Sequence, residues 1–187
     1  MVKWTYTPIH QWSLINGRWD EILNKARNIK LLISDNDGVL TDTGVYYSAA
    51  GEEFKKYSAR DGMGVERLRN LCNIETFIIT GEESPSLIKR AEKLKVTNLF
   101  LNIKNKLEIF NSLLLQMNLN KDEVAYIGDD LNDIEVIKSV GLSAAPKDAM
   151  EPIRNQVDYI CSLPGGNGAF RELAELVIYS KYKESYE

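Results

Sequence analysis

Zinc has almost nothing to bind in this chain. Of 187 residues one is histidine, His10, and two are cysteine, Cys72 and Cys161, without CxxC spacing, so neither a zinc cluster nor a disulfide framework is expected. The cysteines read as small buried hydrophobes, Cys72 in a helix-like stretch and Cys161 in a strand-like one. His10 has no partner pattern and reads as structural or exposed. Long apolar runs are also lacking: none approaches the roughly 20 residues that a membrane span needs. The first residues, "MVKWTYTPIHQWSL", show no charged n-region followed by an apolar h-region, so no secretory signal is expected and the cytoplasm is the expected compartment. Charge of one sign is missing too. A net charge of −4 with no Lys/Arg cluster excludes a phosphate-tracking nucleic-acid surface, and an anionic substrate would need a local device. Hydrophobic content of 44% with 27% charged residues is ordinary for one globular domain of this length.

From Ile29 onward, short apolar runs alternate with segments of helical period. "KLLIS", "ETFIIT", "NLFLN", "EVAYIG", "GLSAA" and "DYICS" are the strand candidates, and the pattern predicts a mostly parallel sheet covered by helices on both faces. Val65-Leu68-Leu71-Cys72, Leu87-Ala91-Leu94 and Leu107-Phe110-Leu113-Leu114-Met117 recur at three- and four-residue intervals and predict helices. Ser84-Pro85 supplies an N-cap followed by proline at the first helical position. The segment 44–62, "GVYYSAAGEEFKKYSARDG", breaks the alternation and reads as a β-hairpin, too short for a cap domain. Its edges and its aromatic residues Tyr46, Tyr47, Phe54 and Tyr57 call for something to pair with, and another subunit is expected. Residues 1–28, with Trp4, Trp12 and Trp19, read as an N-terminal extension to a single domain over 29–187.

Three apolar runs end alike: "LLIS" at Asp35, "FIIT" at Thr80, "AYIG" at Asp129. In open α/β sheets the C-terminal strand edge is where ligands bind, because loops and helix N-termini converge there. Lys106, just after the third run, falls near the same edge. Carboxylates gathered at one point repel unless a cation sits among them. Oxygen donors with no histidine or cysteine suit Mg²⁺ better than zinc, and "GDDLND" adds Asp130 and Asp133 to Asp129. With such an ion, Asp35 is the candidate nucleophile toward phosphorus and Asp37 the candidate general acid and base. Thr80 and Lys106 are candidates for holding phosphoryl oxygens.

In this order, "DNDGVLTD", "IITG", Lys106 and "GDDLND" resemble the four motifs of the haloacid dehalogenase superfamily. The hairpin, "RAEKLKV" and the late "PGGNGAFREL" resemble its capless branch, the 3-deoxy-D-manno-octulosonate 8-phosphate phosphatases and their nine-carbon, sialic-acid-like relatives. The resemblance implies a Rossmann-like three-layer α/β/α fold without a cap domain, and an Mg²⁺-dependent phosphatase for a sugar-acid phosphate in ulosonic acid and lipopolysaccharide biosynthesis. It also implies a homotetramer joined through the hairpins. By resemblance Asp35 is nucleophile and metal ligand, Asp37 acid/base and backbone ligand, Asp129 a further ligand, with Asp130 and Asp133 supporting. Thr80, Gly81 and Lys106 would bind phosphate, and Arg60 the substrate. Asn36, between the two aspartates, departs from the usual apolar residue. Glu82 with Lys93 is more similar to the nine-carbon branch, which leaves sugar length open. Two other readings stand: a catalytically silent oligomerisation domain of the kind that accompanies a sialate cytidylyltransferase, and a receiver module holding a phosphoaspartate.

Overall fold

The computed structural model describes residues 18–182; Trp4, His10 and Trp12 lie outside them. Six parallel strands, β1 (Leu31–Ser34), β4 (Glu75–Ile79), β5 (Leu99–Phe100), β6 (Val124–Ile127), β7 (Leu142–Ala145) and β8 (Tyr159–Ile160), form one sheet in the order β5-β4-β1-β6-β7-β8. Every pairing in it is parallel. A strand buried on both faces reads as a continuous apolar run rather than an alternation, and β1 does: Leu32 faces one core cluster while Leu31 and Ile33 face the other.

The first cluster takes Ile22, Leu23 and Ala26 from helix α1 (Trp19–Asn28) and Val65 and Leu68 from α2 (Ala59–Cys72). It also takes Leu87 and Ala91 from α3 (Pro85–Leu94), and Leu173 and Val177 from α7 (Ala169–Tyr182). The second is covered by Phe110 and Leu113 of α4 (Lys106–Met117), Val136 and Ile137 of α5 (Ile134–Ile137) and Ile153 of α6 (Glu151–Arg154). Helices on two faces make the three layers. Because α1 sits inside the first core, the packed unit takes in residues assigned above to an extension ending at residue 28.

Ser84 caps α3 through its side chain with Pro85 following, as the sequence predicts. The helical stripes are narrower than expected, with Leu71 and Met117 left exposed. Strands β2 (Thr41–Ser48) and β3 (Gly51–Tyr57) pair antiparallel as a separate hairpin. Its bounds differ from 44–62 at both ends, because pairing begins at Thr41 with Tyr57, and Ser58 caps α2, which draws residues 59–62 into that helix. Tyr46, Tyr47 and Phe54 are exposed as expected. Tyr57 is instead half-buried, under the Arg90 guanidinium 5.8 Å from its ring centre.

Candidate active site

β1 stands between β4 and β6, the point where the chain's winding reverses direction across the sheet, and such switch points leave a crevice beyond the strand ends. Asp35 follows β1, Thr80 follows β4 and Asp129 follows β6 by two residues, so the register alone brings them together. The loop after β1 turns tightly. The Asn36 carbonyl accepts hydrogen bonds from the N–H groups of Val39, Leu40 and Thr41, and Gly38 sits at φ +81°, a region that L side chains rarely adopt. A Cβ at Gly38 would lie 1.9 Å from Asp129 Oδ2, so glycine is what allows the first and fourth motifs to touch. The loop is braced from outside by Gly165 and Gly166, whose Gly166 N–H donates to the Val39 carbonyl at 2.8 Å.

Lys106, the first residue of α4, is almost wholly buried; its ammonium lies 2.9 Å from Asp35 Oδ1 and 2.6 Å from Asp133 Oδ1. Oxygens of Asp35, Asp129 and Asp133 gather within 4.8 Å of one another, a set able to hold a metal ion. Asp133 is spoken for, however. Its Oδ1 accepts from Lys106 and from the Tyr126 hydroxyl at 2.5 Å. Its Oδ2 accepts from the N–H groups of Asp129 at 3.0 Å and Asp130 at 3.3 Å. A carboxylate has about four lone-pair positions, and all are used. Asp133 therefore anchors the loop, leaving Asp35 and Asp129 to face a cation.

The electrostatics agree. Burial, then the nearby Asp133, pushes the Asp35 carboxyl up to about 7 despite Lys106. Burial, then Asp35, Asp133 and Asp130, pushes Asp129 up to about 8. Lys106 is held above its ordinary value, because Asp35 and Asp133 outweigh the burial that would lower it.

A cavity of about 400 Å³ opens over these groups, lined by Asp35, Asp37, Glu82, Asp129 and Asp130 together with Thr43, Thr80, Gly81 and Asn132. The lining holds five carboxyl groups and no cationic side chain, while Lys106 and Lys55 pair with Asp35 and Asp37 from outside it. Hard oxygen donors around a space that no cationic side chain lines fit a divalent ion such as Mg²⁺. Thr80 Oγ1 accepts from the Glu82 N–H at 3.2 Å, which leaves its own O–H free to donate.

Asp130, Thr80, Gly81 and Glu82 line the cavity. Asp37 lines the cavity but stands outside the three-carboxylate cluster. Lys106 is not itself a lining residue of the cavity, but its ammonium lies 2.9 Å from Oδ1 of Asp35, which is. Arg60 and Lys93 do not line it either: Arg60 is exposed at the start of α2, and a rise of about 1.5 Å per residue carries Lys93 roughly 12 Å along α3 from Pro85. Sequence reasoning missed Lys55. It is buried on β3, with its ammonium 2.8 Å and 2.9 Å from the two oxygens of Asp37. Burial would lower its pKa, but Asp37 and Glu52 hold it above the ordinary value. Nothing in "GEEFKKY" marks it, since its apolar neighbour Phe54 is the exposed one.

A parallel α/β sheet carrying acidic groups at its switch point fits a metal-assisted hydrolase. The chain belongs to the haloacid dehalogenase-like hydrolase family, whose pattern matches residues 25–173. It is 40% identical over 163 residues to the 3-deoxy-D-manno-octulosonate 8-phosphate phosphatase KdsC of Escherichia coli K12, covering 87% of this chain and 86% of that one. The crystal structure of the Yersinia pestis phosphatase of that name is 38% identical with a TM-score of 0.85, covering 89% of each chain. The Moraxella catarrhalis phosphatase, solved with magnesium ion, phosphate ion and KDO, is 33% identical with a TM-score of 0.84, covering 89% of this chain and 96% of that one. Among the described residues no helix is long and apolar enough to cross a membrane.

Proposed function

We propose that the protein is an Mg²⁺-dependent phosphatase that hydrolyses a 3-deoxy-ulosonic acid phosphate, 3-deoxy-D-manno-octulosonate 8-phosphate, through an aspartyl-phosphate on Asp35. The observation that carries this reading is the cavity whose ionisable lining groups are all carboxyls, with Asp35 and Asp129 oxygens grouped closely enough for one ion. Such a site suits an anionic substrate only when a cation is shared with it. Asp35 and Asp129, with the Asp37 backbone carbonyl, are the residues to hold that cation. When bound, Mg²⁺ neutralises charge on the phosphoryl oxygens and orients them.

The rest is done by the chain. An Asp35 oxygen forms a bond to phosphorus as the P–O bond to the sugar breaks, and Asp37 delivers its proton to the leaving alkoxide. Asp37 then takes a proton from water, whose oxygen attacks phosphorus and releases inorganic phosphate and Asp35. The Thr80 hydroxyl and the third N–H of Lys106, left after its bonds to Asp35 and Asp133, donate to phosphoryl oxygens. Each such donor is worth roughly 2.7–4 kcal/mol where charge develops.

Eight carbons are favoured over nine because the Glu82–Lys93 pair that resembles the nine-carbon branch is divided: Glu82 lines the cavity and Lys93 does not. The similarity to KdsC points the same way. A silent domain would have no need of Asp35, Asp37, Lys106 and Asp129 together, and a receiver module is disfavoured by the spaced pair Asp35 and Asp37 after β1. The exposed aromatic face of the hairpin, where the tilted rings of Tyr46 and Phe54 have centroids 4.9 Å apart, supports assembly through it, in keeping with the expected homotetramer.

The test is phosphate release from 3-deoxy-D-manno-octulosonate 8-phosphate and from a nine-carbon ulosonate 9-phosphate, in Mg²⁺ and in EDTA. Mg²⁺-dependent release with the higher kcat/KM on the eight-carbon substrate is expected. Preference for the nine-carbon acid would overturn the substrate, and release undiminished by EDTA would overturn the cation.

A further inference from the structure

Lys55 is the one buried residue of β3: the strand's other residues are exposed or half-buried, while the Lys55 side chain is 3% exposed. An ammonium taken out of water is costly unless it is paired and hydrogen-bonded, so its partners matter. They are both oxygens of Asp37, at 2.8 Å and 2.9 Å, and Glu52 Oε2 at 3.6 Å. Glu52 in turn accepts from the Ser84 hydroxyl at 2.5 Å and the Ser86 hydroxyl at 3.1 Å. The hairpin is thereby tied to the loop after β1 and to the first turn of α3, directly after Thr80-Gly81-Glu82. Asp37 has a further weak donor, the Thr41 hydroxyl at 3.3 Å, and its oxygens remain apart from those of Asp35, Asp129 and Asp133.

We propose that Lys55 is the positioning residue for Asp37, holding its carboxylate out of the metal cluster and over the cavity, with Glu52 fixing Lys55 in turn. The inference rests on the phosphatase reading above. The Asp37 side chain is 29% exposed, so only its partners restrain its rotamer. A carboxylate free to rotate beside a divalent cation is drawn to it as a ligand, and Asp37 bound there through its side chain has lost the position from which it exchanges a proton with the leaving oxygen. Lysine suits the task because its three donors can engage both Asp37 oxygens and Glu52 at once.

Lys55→Met keeps the apolar stem and removes the charge. Its kcat is expected to fall by about 100-fold, the low end of general acid–base contributions, with KM changed by less than about threefold. Lys55→Arg, which keeps a charged donor, is expected to recover part of the loss. Calorimetric titration with Mg²⁺ alone gives a readout free of turnover: Lys55→Met is expected to bind Mg²⁺ several-fold more tightly, and the gain is expected to vanish when Asp37→Ala is added.

A KM rise at constant kcat would make Lys55 a substrate ligand and overturn the proposal. So would an unchanged Mg²⁺ affinity, or a gain that survives Asp37→Ala and is therefore only charge removal. Should Lys55→Met not fold, Glu52→Gln carries the test, with a smaller fall in kcat at unchanged KM expected and an unaltered kcat contradicting. If the wild-type protein itself releases no phosphate, the phosphatase reading fails, and the Mg²⁺ titrations still decide the role of Lys55.

Discussion

Replacing Asp133 by asparagine looks conservative and should not be. All four hydrogen-bond partners of the carboxylate are donors: Lys106, Tyr126, and the N–H groups of Asp129 and Asp130. An asparagine amide must turn its NH₂ toward one pair of them. Toward Oδ2's partners it meets two backbone N–H groups that cannot become acceptors; toward Oδ1's it meets the Lys106 ammonium, and only the Tyr126 hydroxyl can rotate to accept. In either orientation buried donors are orphaned, and Lys106 loses one of its two carboxylate partners at a position with no solvent exposure. Breaking a buried ion pair from one side costs about 3–5 kcal/mol; the orphaned N–H groups overlap with that figure rather than add to it. For a chain of this length each kcal/mol is roughly 2–4 °C in Tm, so a drop of roughly 6–20 °C is expected. Alanine at the same position should fall in the same range. The assay is urea unfolding followed by circular dichroism, in EDTA so that metal linkage does not contribute, at one protomer concentration for all variants. An asparagine variant within about 0.5 kcal/mol of wild type, the spread of surface substitutions, would refute the view of Asp133 as a saturated anchor.

Four further outcomes are expected. Mg²⁺ affinity should rise with pH through the interval set by Asp35, about 7, and Asp129, about 8, because a protonated carboxyl cannot ligate; calorimetry in buffers of different ionisation enthalpy should show proton release that disappears at higher pH. Both pKa values lie above the 3.8 of the unfolded chain, so the metal-free fold binds more protons in between and its stability should fall as pH rises from about 3.8 to about 8, the opposite slope refuting the assignment. Gly38→Ala puts a methyl 1.9 Å from Asp129 Oδ2 at φ +81°, and the displacement should cost about 100-fold or more in kcat/KM, with full activity the contrary result. Tyr46→Ser with Phe54→Ser should weaken hairpin-mediated assembly at least about tenfold by sedimentation equilibrium; an unchanged distribution would place the interface elsewhere.

The layout of the site could be read before the fold because parallel strands end at one edge: once "LLIS", "FIIT" and "AYIG" are strands, Asp35, Thr80 and Asp129 are neighbours by register. Polarity patterning cannot reach residues whose place depends on tertiary packing. Lys55 and Lys56 are adjacent in sequence, and only the docking of the hairpin decides that Lys55 is buried while Lys56 stays exposed beside Asp42. Asp133 looks like one more acidic ligand until the turn at Leu131–Asp133 points it back under the loop. Lys93 lies outside the cavity lining of one protomer for a simpler reason, the length of α3. Asn36 escapes sequence patterning for the same reason as Lys55: its fully buried amide lies beside the buried Tyr57 hydroxyl brought in by the hairpin, and neither has a well-formed hydrogen bond elsewhere.

The most direct test of the central claim is to quench the enzyme during turnover of 3-deoxy-D-manno-octulosonate 8-phosphate in Mg²⁺, reduce it with borohydride, and sequence the peptides by mass spectrometry. An acyl phosphate on Asp35 is reduced to homoserine, so homoserine at position 35 and at no other aspartate, absent when Mg²⁺ is withheld, is the predicted result. Rapid phosphate release with position 35 left as aspartate and the modification at Asp37 or Asp129 would contradict the assignment of the nucleophile.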